Sequence, residues 1–287
     1  NPRWEGNLKR FKSDASTSKI VDSTGANAVD SATGLIADSS KSFWSATTDG
    51  ANVVSGGAAS RLPSPEQRKI FTYVQSTASG NLDPVNLSNA SFVTAARAKM
   101  RATMVPSTAT VTDTEFLNLM NWFKGYNITD ISTSVVNVTT GTIPAQRKVL
   151  GGGLHSNPAV VNYGVVSGAT AQEALTDATK QDNTIYFSTL GGALHGVNTN
   201  SGQEIFAFIP GEKLGALKRL YQNVSLTSDD FPEYGLDSTW TIYRKDANQD
   251  GQITAGSTDA VYLYGGMRMG GSNYYALDLT DRNSPKM

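Results

Sequence analysis

The stretch Asp246-Ala-Asn-Gln-Asp-Gly-Gln-Ile-Thr254 sets oxygen-bearing side chains at alternate positions, Asp246, Asn248 and Asp250, and then supplies Gly251 where the chain must turn sharply. These are positions 1, 3, 5 and 6 of a calcium-binding loop, with the carbonyl of Gln252 at position 7 and Thr254 at position 9, able to contribute directly or through water. Hard oxygen ligands in this number favour Ca2+, which accepts six to eight of them, over the tighter octahedron of Mg2+. Position 12, where a bidentate Glu closes such loops, is Ser257; the nearest acid is Asp259, two residues on, which is the candidate for closing the cage. Ile253 is the apolar anchor. The flanks, "WTIYRK" and "AVYLY", have strand character, so the loop connects two β-strands. The alternative is an Asx-rich turn that binds nothing.

Other chemistry-bearing residues point away from catalysis. His155 and His195 each follow a Leu in a Gly-rich turn, and no HxxH or HxH spacing links them to a metal role; capping a turn or packing in a wall is the simpler account. The glycines of "GGALHG" and "GGMRMGG" lead into strands, which suits hairpin turns rather than a dinucleotide-binding loop. Arg268 among them is expected to meet an anion or, more simply, a carboxylate of the same protein. Asp229 and Asp230 are adjacent, so in a strand they would face opposite ways, and a solvated turn is expected. Trp4, Trp44, Trp122 and Trp240 are isolated in sequence and serve packing. With no cysteine, thiolate metal sites and disulfides are excluded. No enzyme active site is expected.

The elements that must position the loop show as repeats. In "TIYFSTLGGALHGVNTNSGQEIFAFIP", Thr184 to Pro210, a β-branched and aromatic run turns at Gly191 and Gly192, continues through Leu194 and Val197, and turns again at Asn200 to Gly202: a β-meander. A second copy starts at Ala260 with Val261 and Leu263, turns through Gly270 and Gly271, and continues with Tyr274 and Leu277. A half copy at the N-terminus aligns Gly6 with Gly192, Leu8 with Leu194 and Phe11 with Val197. Ala159 to Tyr163 adds one strand. Such repeats are the mark of propeller blades, and both ends of the chain fall inside them, as in a fragment cut within blades.

Between the half copy and the meander, residues 51–111 are rich in Ala, Ser, Asn and Thr and promise little strand. Phe92, Ala95, Ala96, Lys99 and Met100 have helical spacing. Thr112 and Glu115 form a capping box ahead of the stripe Phe116, Leu119, Met120 and Phe123, with Gly125 at the C-cap position. A third short helix is expected at Leu214 to Gln222. The organisation that follows is a partial blade over 1–50, a helical insertion over 51–145, and blades carrying the loop over 146–287. A formal charge of -1, from 24 basic and 25 acidic residues, gives no field to attract nucleic acid, and no apolar run is long enough to span a membrane.

Taken in order, "RWEGNLKRF", "GGAASRLP", "RKIFTY", "LHSNPAVVNYG", the meander, "YGLDSTWTIY", "DANQDGQI" and "VYLYGGMRMGGSNYYALDLTDRNSPK" resemble the C-terminal region of PilC/PilY-type proteins, the tip-associated adhesins and biogenesis factors of type IV pili. The resemblance runs from Pro2 to Lys286, in layout more than in letters over residues 75–145. It implies a modified, quinoprotein-like β-propeller that is not an enzyme. It implies Ca2+ held by Asp246, Asn248, Asp250, the carbonyl of Gln252 and a further acid, for which Asp259 stands here. It also implies export to the cell surface, outer membrane or pilus tip, with minor pilins as partners. The expected role is control of pilus extension against retraction, with support of adhesion and twitching motility; a host-surface receptor would be met through a part not in this chain. The competing classes are a quinone-dependent propeller dehydrogenase and a sugar-binding propeller.

Overall fold

A computed structural model describes residues 3–74, 80–223 and 233–287; Pro2, Asp229 and Asp230 lie outside the described residues. The first third contains β1 (Glu5–Gly6), β2 (Lys12–Asp14), β3 (Lys19–Val21), α1 (Gly57–Ser60), β4 (Ile70–Tyr73), β5 (Asp83–Pro84) and α2 (Ala90–Ala102). Next come α3 (Asp113–Lys124), β6 (Leu150–Gly151), β7 (Ala159–Val165), α4 (Ala171–Thr176), β8 (Gln181–Ser188), β9 (Leu194–Asn198) and β10 (Glu204–Pro210). The chain then runs through α5 (Leu217–Gln222), β11 (Thr241–Lys245), β12 (Ala260–Gly266) and β13 (Tyr274–Asp278).

The predicted meander is the centre of the molecule. Strands β7, β8, β9 and β10 pair antiparallel in sequence order, and β4 and β5 extend them into a six-stranded mixed sheet ordered β5-β4-β10-β9-β8-β7. A second, three-stranded sheet, β11-β12-β13, is the second copy with the strand that precedes it. The fold is therefore sheet-dominated with a helical insertion, as expected.

Alternation along β10 decides the layering. Phe206 and Phe208 point to one face, where they join Tyr186 and Leu194 against Val261, Leu263 and Leu277 of the smaller sheet and Trp240 just before it. Ala207 and Ile209 point to the other, against Phe92, Met100, Phe116 and Leu119 of α2 and α3 and Leu217 of α5. Both faces of β10 are buried, so after Glu204 its sequence is an unbroken apolar run from Ile205 to Pro210. Gly196 of β9 stands opposite Tyr186 and Phe206, where a Cβ would come within 3.0 Å of both rings, so the glycine is what lets the two aromatics close over the strand. A third cluster, Trp44, Ala58, Ala59, Leu62, Leu150, Phe187 and Val197, fastens the N-terminal segment to the meander.

The helices form where local signals place them. Asn89 caps α2 by accepting from the N–H groups of Ser91 and Phe92, and Phe92, Ala96 and Met100 face the core. Thr112 and Glu115 make the reciprocal capping box of α3, and Gly125 ends it in the left-handed conformation at φ 115°. The expected helix at 214–222 is a 3-10 turn over Gly211–Ala216 that continues as α5.

Two features differ from the sequence reading. The 51–145 region is not simply appended: β4 lies inside the large sheet, parallel to β10 with Ile70 opposite Ala207 and Tyr73 opposite Pro210. Secondly, Leu8 to Phe11 is not a strand equivalent to Leu194–Val197. The carbonyls of Leu8 and Arg10 accept instead from Ala58 and Phe43, which satisfies this backbone without a ladder, and the strands fall at β1, β2 and β3.

One buried charge holds these parts in register. Glu204, at the start of β10, receives Arg68 Nε at 2.6 Å and Arg68 Nη2 at 2.8 Å, and its Oε1 lies 2.8 Å from His195 Nδ1 on β9. Arg68 also donates from Nη1 to the carbonyls of Phe123 and Lys124 at the C-terminus of α3. Burial alone would raise the Glu204 carboxyl; the Arg68 and His195 charges and hydrogen bonds outweigh it and hold it at about 2 against an ordinary 4.5. Because the folded value is depressed, the contribution of this group is complete above about pH 4.5 and is lost as pH falls toward 2. Arg68→Met is expected to cost about 3–5 kcal/mol in denaturant unfolding at neutral pH, since it strands a buried carboxylate. A cost under 1 kcal/mol would show that Glu204 does not depend on Arg68.

Candidate calcium loop

Strands β11 and β12 pair from Thr241↔Tyr264 to Lys245↔Ala260, and the intervening residues 246–259 form the predicted loop. Its fold is set by its own carboxylates. Asp246 Oδ2 accepts the N–H of Gly251 at 2.8 Å, closing the first turn, and Asp250 Oδ1 accepts the N–H of Gln252 at 2.7 Å. Asn248 meets Asp250 through its Nδ2, 2.9 Å from Oδ2. Gln249 and Gly251 are left-handed, at φ 60° and 82°, which lets the chain double back. Asp246, Asn248 and Asp250 are thus gathered in one turn, as their spacing predicts.

Asp259 takes a different place from that of a bare ligand. Its Oδ1 accepts the N–H of Ala247 at 2.8 Å and its Oδ2 that of Thr254 at 2.9 Å, so one carboxylate clamps both ends of the loop. These two backbone donors hold its carboxyl below the usual carboxylate range. Thr254 contributes its N–H to Asp259, and its carbonyl accepts the Ser257 hydroxyl at 2.7 Å, which keeps Ser257 from the role of a position-12 ligand. Among the described residues, no three or more His, Cys, Asp or Glu side chains converge as a group that could hold a metal; the predicted set relies on Asn248 and the Gln252 carbonyl beside Asp246 and Asp250.

The loop is also a strut to the larger sheet. The N–H of Ile253 donates to the Tyr163 carbonyl at 2.9 Å, and Gln252 Oε1 accepts the N–H of Val165 at 3.3 Å, both on β7. The β7–β8 ladder is irregular between Asn162 and Val165, and Gly164 sits there at φ 135°. A Cβ on Gly164 would lie 1.9 Å from Gln252 Oε1, and φ 135° disfavours any L side chain there, so glycine is what lets the Gln252 side chain settle on β7. Arg244 of β11 completes the tie, donating from Nε to the Asn162 carbonyl at 2.8 Å while Nη2 stands 3.7 Å from Asp246 Oδ2. Gly164 and Arg244 were not among the sequence candidates; an Arg two residues before the first loop acid was the available signal.

Whether these residues suit a cation is decided at Asp246. Its Oδ1 is buried and has no hydrogen-bond partner, while its Oδ2 is occupied by Gly251. A buried anionic oxygen without a donor is costly unless a cation stands against it. The donor set, two carboxylates, a carboxamide and a peptide carbonyl, is hard oxygen throughout, which fits Ca2+.

The remaining predicted residues have structural roles. His155 Nδ1 lies 2.7 Å from Asp237 Oδ2, to which Arg268 also donates at 3.2 Å, so Arg268 pairs with a carboxylate of its own chain. His195 belongs to the Glu204 cluster and stacks on Phe187. Trp44, Trp122 and Trp240 are buried and pack as expected; Trp4, 56% exposed, departs from the expectation that all four serve packing.

Asp259→Ala is expected to release the amides of Ala247 and Thr254, so that their hydrogen-exchange protection falls while that of the β8–β9 amides stays as in the parent. Unchanged exchange at both amides would remove Asp259 as the clamp. No protein-family model, no curated protein and no solved structure matches the chain.

Proposed function

We propose that the chain is a calcium-binding, non-enzymatic propeller module of a type IV pilus biogenesis and tip protein of the PilC/PilY kind, exported to the cell surface. The observation that carries the cation is the unpartnered, buried Asp246 Oδ1 at the mouth of an oxygen-lined loop. The pilus assignment rests on the ordered motifs of the sequence. The two meanders, of four and three strands, are read as neighbouring blades packed through Phe206, Phe208, Val261 and Leu263. Among the described residues no helix is long and apolar enough to cross a membrane.

In this reading Asp246, Asn248, Asp250 and the carbonyl of Gln252 hold Ca2+, with Thr254 and Asp259 beside them. The bound cation supplies positive charge against carboxylates that otherwise repel one another. Asp259 keeps the two ends of the loop together, and Ile253, Gln252 and Arg244 transmit the loop's order to β7 of the large sheet. Occupancy therefore sets how firmly the two sheets are braced, and through that brace the contact with minor pilins at the pilus tip and the balance of extension against retraction. Because both oxygens of Asp259 are engaged by N–H groups and position 12 is Ser257, affinity should resemble that of weak extracellular sites, about 10⁻⁴–10⁻³ M.

Calorimetric titration with CaCl2 should give one saturable site in that range, abolished in Asp246→Ala and Asp250→Ala. At about ten times the dissociation constant, calcium should add about 1.4 kcal/mol to unfolding stability. In cells, the same substitutions should leave pili that retract without calcium dependence. Wild-type heats indistinguishable from dilution would remove the metal, and normal retraction in a variant that no longer binds would remove the regulatory role.

A further inference from the structure

A cleft on the far side of the large sheet uses none of the loop residues. It is enclosed by β1 and β6, the C-terminus of α3, the β8–β9 turn and Leu220 of α5, and has a volume of about 60 Å3. Three guanidinium groups line it: Arg3, Arg68 and Arg147. They are not equivalent. Arg68 is fully committed, with two nitrogens on Glu204 and the third on the carbonyls of Phe123 and Lys124. Arg3 reaches Glu5 only at 4.0 Å, longer than a hydrogen bond.

Arg147 has a cation's cost without an anion. Among the described residues it makes no ion pair within 4.0 Å; its Nη2 donates to the Trp122 carbonyl at 3.1 Å and its guanidinium lies 4.3 Å from the centre of the Trp122 ring. The ring and the helix terminus offset part of the charge. The Nε–H of Arg147 is buried and has no hydrogen-bond partner. Burial, followed by the neighbouring charges of Arg3 and Arg68, pushes this guanidinium down to about 10. Glu5 is the one acid among the lining residues, and it faces two unsaturated arginines.

We infer that this cleft is a binding site for a carboxylate carried on a small apolar stem, with Arg147 as its principal anchor and Arg3 as the second cation. The Nε–H has no partner and Nη2 keeps a second hydrogen beyond the one given to Trp122, so the guanidinium retains the donors a carboxylate requires. The walls contributed by Trp122, Val149 and Leu220 favour an organic stem over a bare, strongly hydrated ion. The volume admits the carboxylate and a short stem and excludes a large cofactor. The terminal carboxyl or acidic side chain of a peptide and a free organic acid share this chemistry.

Acetate is a suitable probe, with acetamide as its uncharged counterpart and sodium sulfate as the bare anion. Acetate titrated into the intact chain in EDTA should raise the melting temperature saturably and shift the indole N–H resonance of Trp122, and acetamide should do neither at the same concentrations. Arg147→Gln should weaken acetate about tenfold to a hundredfold, the loss expected for hydrogen bonds to a charged group. Arg147→Lys, which keeps the charge and loses the guanidinium, should fall between. Acetate and acetamide acting alike, or no saturable response in the wild-type protein, would overturn the inference whatever the variants do. Sulfate matching acetate would overturn the assignment to an organic carboxylate. A peptide with a free C-terminal carboxyl competing with acetate, while its amide does not, would identify a peptide as the source; small acids alone competing would identify a metabolite.

Discussion

Glu204 is almost wholly withdrawn from water and still carries its charge, and the architecture around it is the consequence. A carboxylate in that position requires donors, and they come from His195 on the neighbouring strand and from Arg68 in the segment before β4, which also donates to the terminal carbonyls of α3. The bifurcated use of Arg68 has a geometric effect. One planar group satisfies the carboxylate and the unpaired carbonyls of a helix end together, so the direction in which α3 approaches the sheet is tied to the entry of β4 into it. The irregularity in the β9–β10 ladder falls between Glu204 and Phe206, where the strand leaves the charged cluster and begins its apolar run.

From that fixed point the layers follow by alternation. Once Glu204 sets the register of β10, Phe206 and Phe208 must face the three-stranded sheet and Ala207 and Ile209 the helices. Small Ala207 opposite Ile70 lets β4 lie close beside β10, and the helices then pack over both strands. The three-stranded sheet depends on apolar packing and on several polar ties to the large sheet: the loop between β11 and β12 to β7, Arg282 to Asp182 and Thr184 of β8, the Tyr163 hydroxyl to the Leu279 carbonyl, and the buried Asp237 shared by His155 and Arg268. A loop in that position affects more than its own conformation.

Local determinants were legible in the sequence and long-range ones were not. The capping box of Thr112 and Glu115 and the glycine at 125 are complete within a few residues, and they place α3 without reference to anything else. The Thr184–Pro210 meander is equally self-contained, its turns written in Gly and Asn. The turn of Asp246, Asn248, Asp250 and Gly251 was legible for the same reason. By contrast, β4 is four residues long, too short for a period to stand out, and its partner β10 lies more than a hundred residues away in the chain. Asp259 was read as an acid facing the cage; its pairing with two backbone amides depends on the turn at Gly256 and Ser257, which side-chain spacing does not report. The cleft was wholly hidden, since Arg3, Arg68 and Arg147 share no motif and meet only through the third dimension.

The near-zero formal charge of the chain conceals two places of opposite imbalance. In the loop, the carboxylates of Asp246, Asp250 and Asp259 are accompanied by the single guanidinium of Arg244, which leaves an excess of two negative charges. Around the cleft, Arg3, Arg68 and Arg147 are accompanied by Glu5 and Glu204, which leaves one positive charge in excess. Each place also contains a buried polar atom of the matching sign without a partner, Asp246 Oδ1 in the first and Arg147 Nε in the second. Groups of this kind carry a desolvation cost that a partner of opposite charge would offset. The two groups cannot complete each other, since one sits in the connection between β11 and β12 and the other behind the Glu204 cluster at the end of α3. Among the described residues, buried side-chain atoms without a partner also occur at Ser40, Thr72, Thr199, Asn200 and Trp240, but those groups are neutral; Asp246 Oδ1 and Arg147 Nε belong to charged groups, and it is on that difference that the proposed cation and carboxylate sites rest.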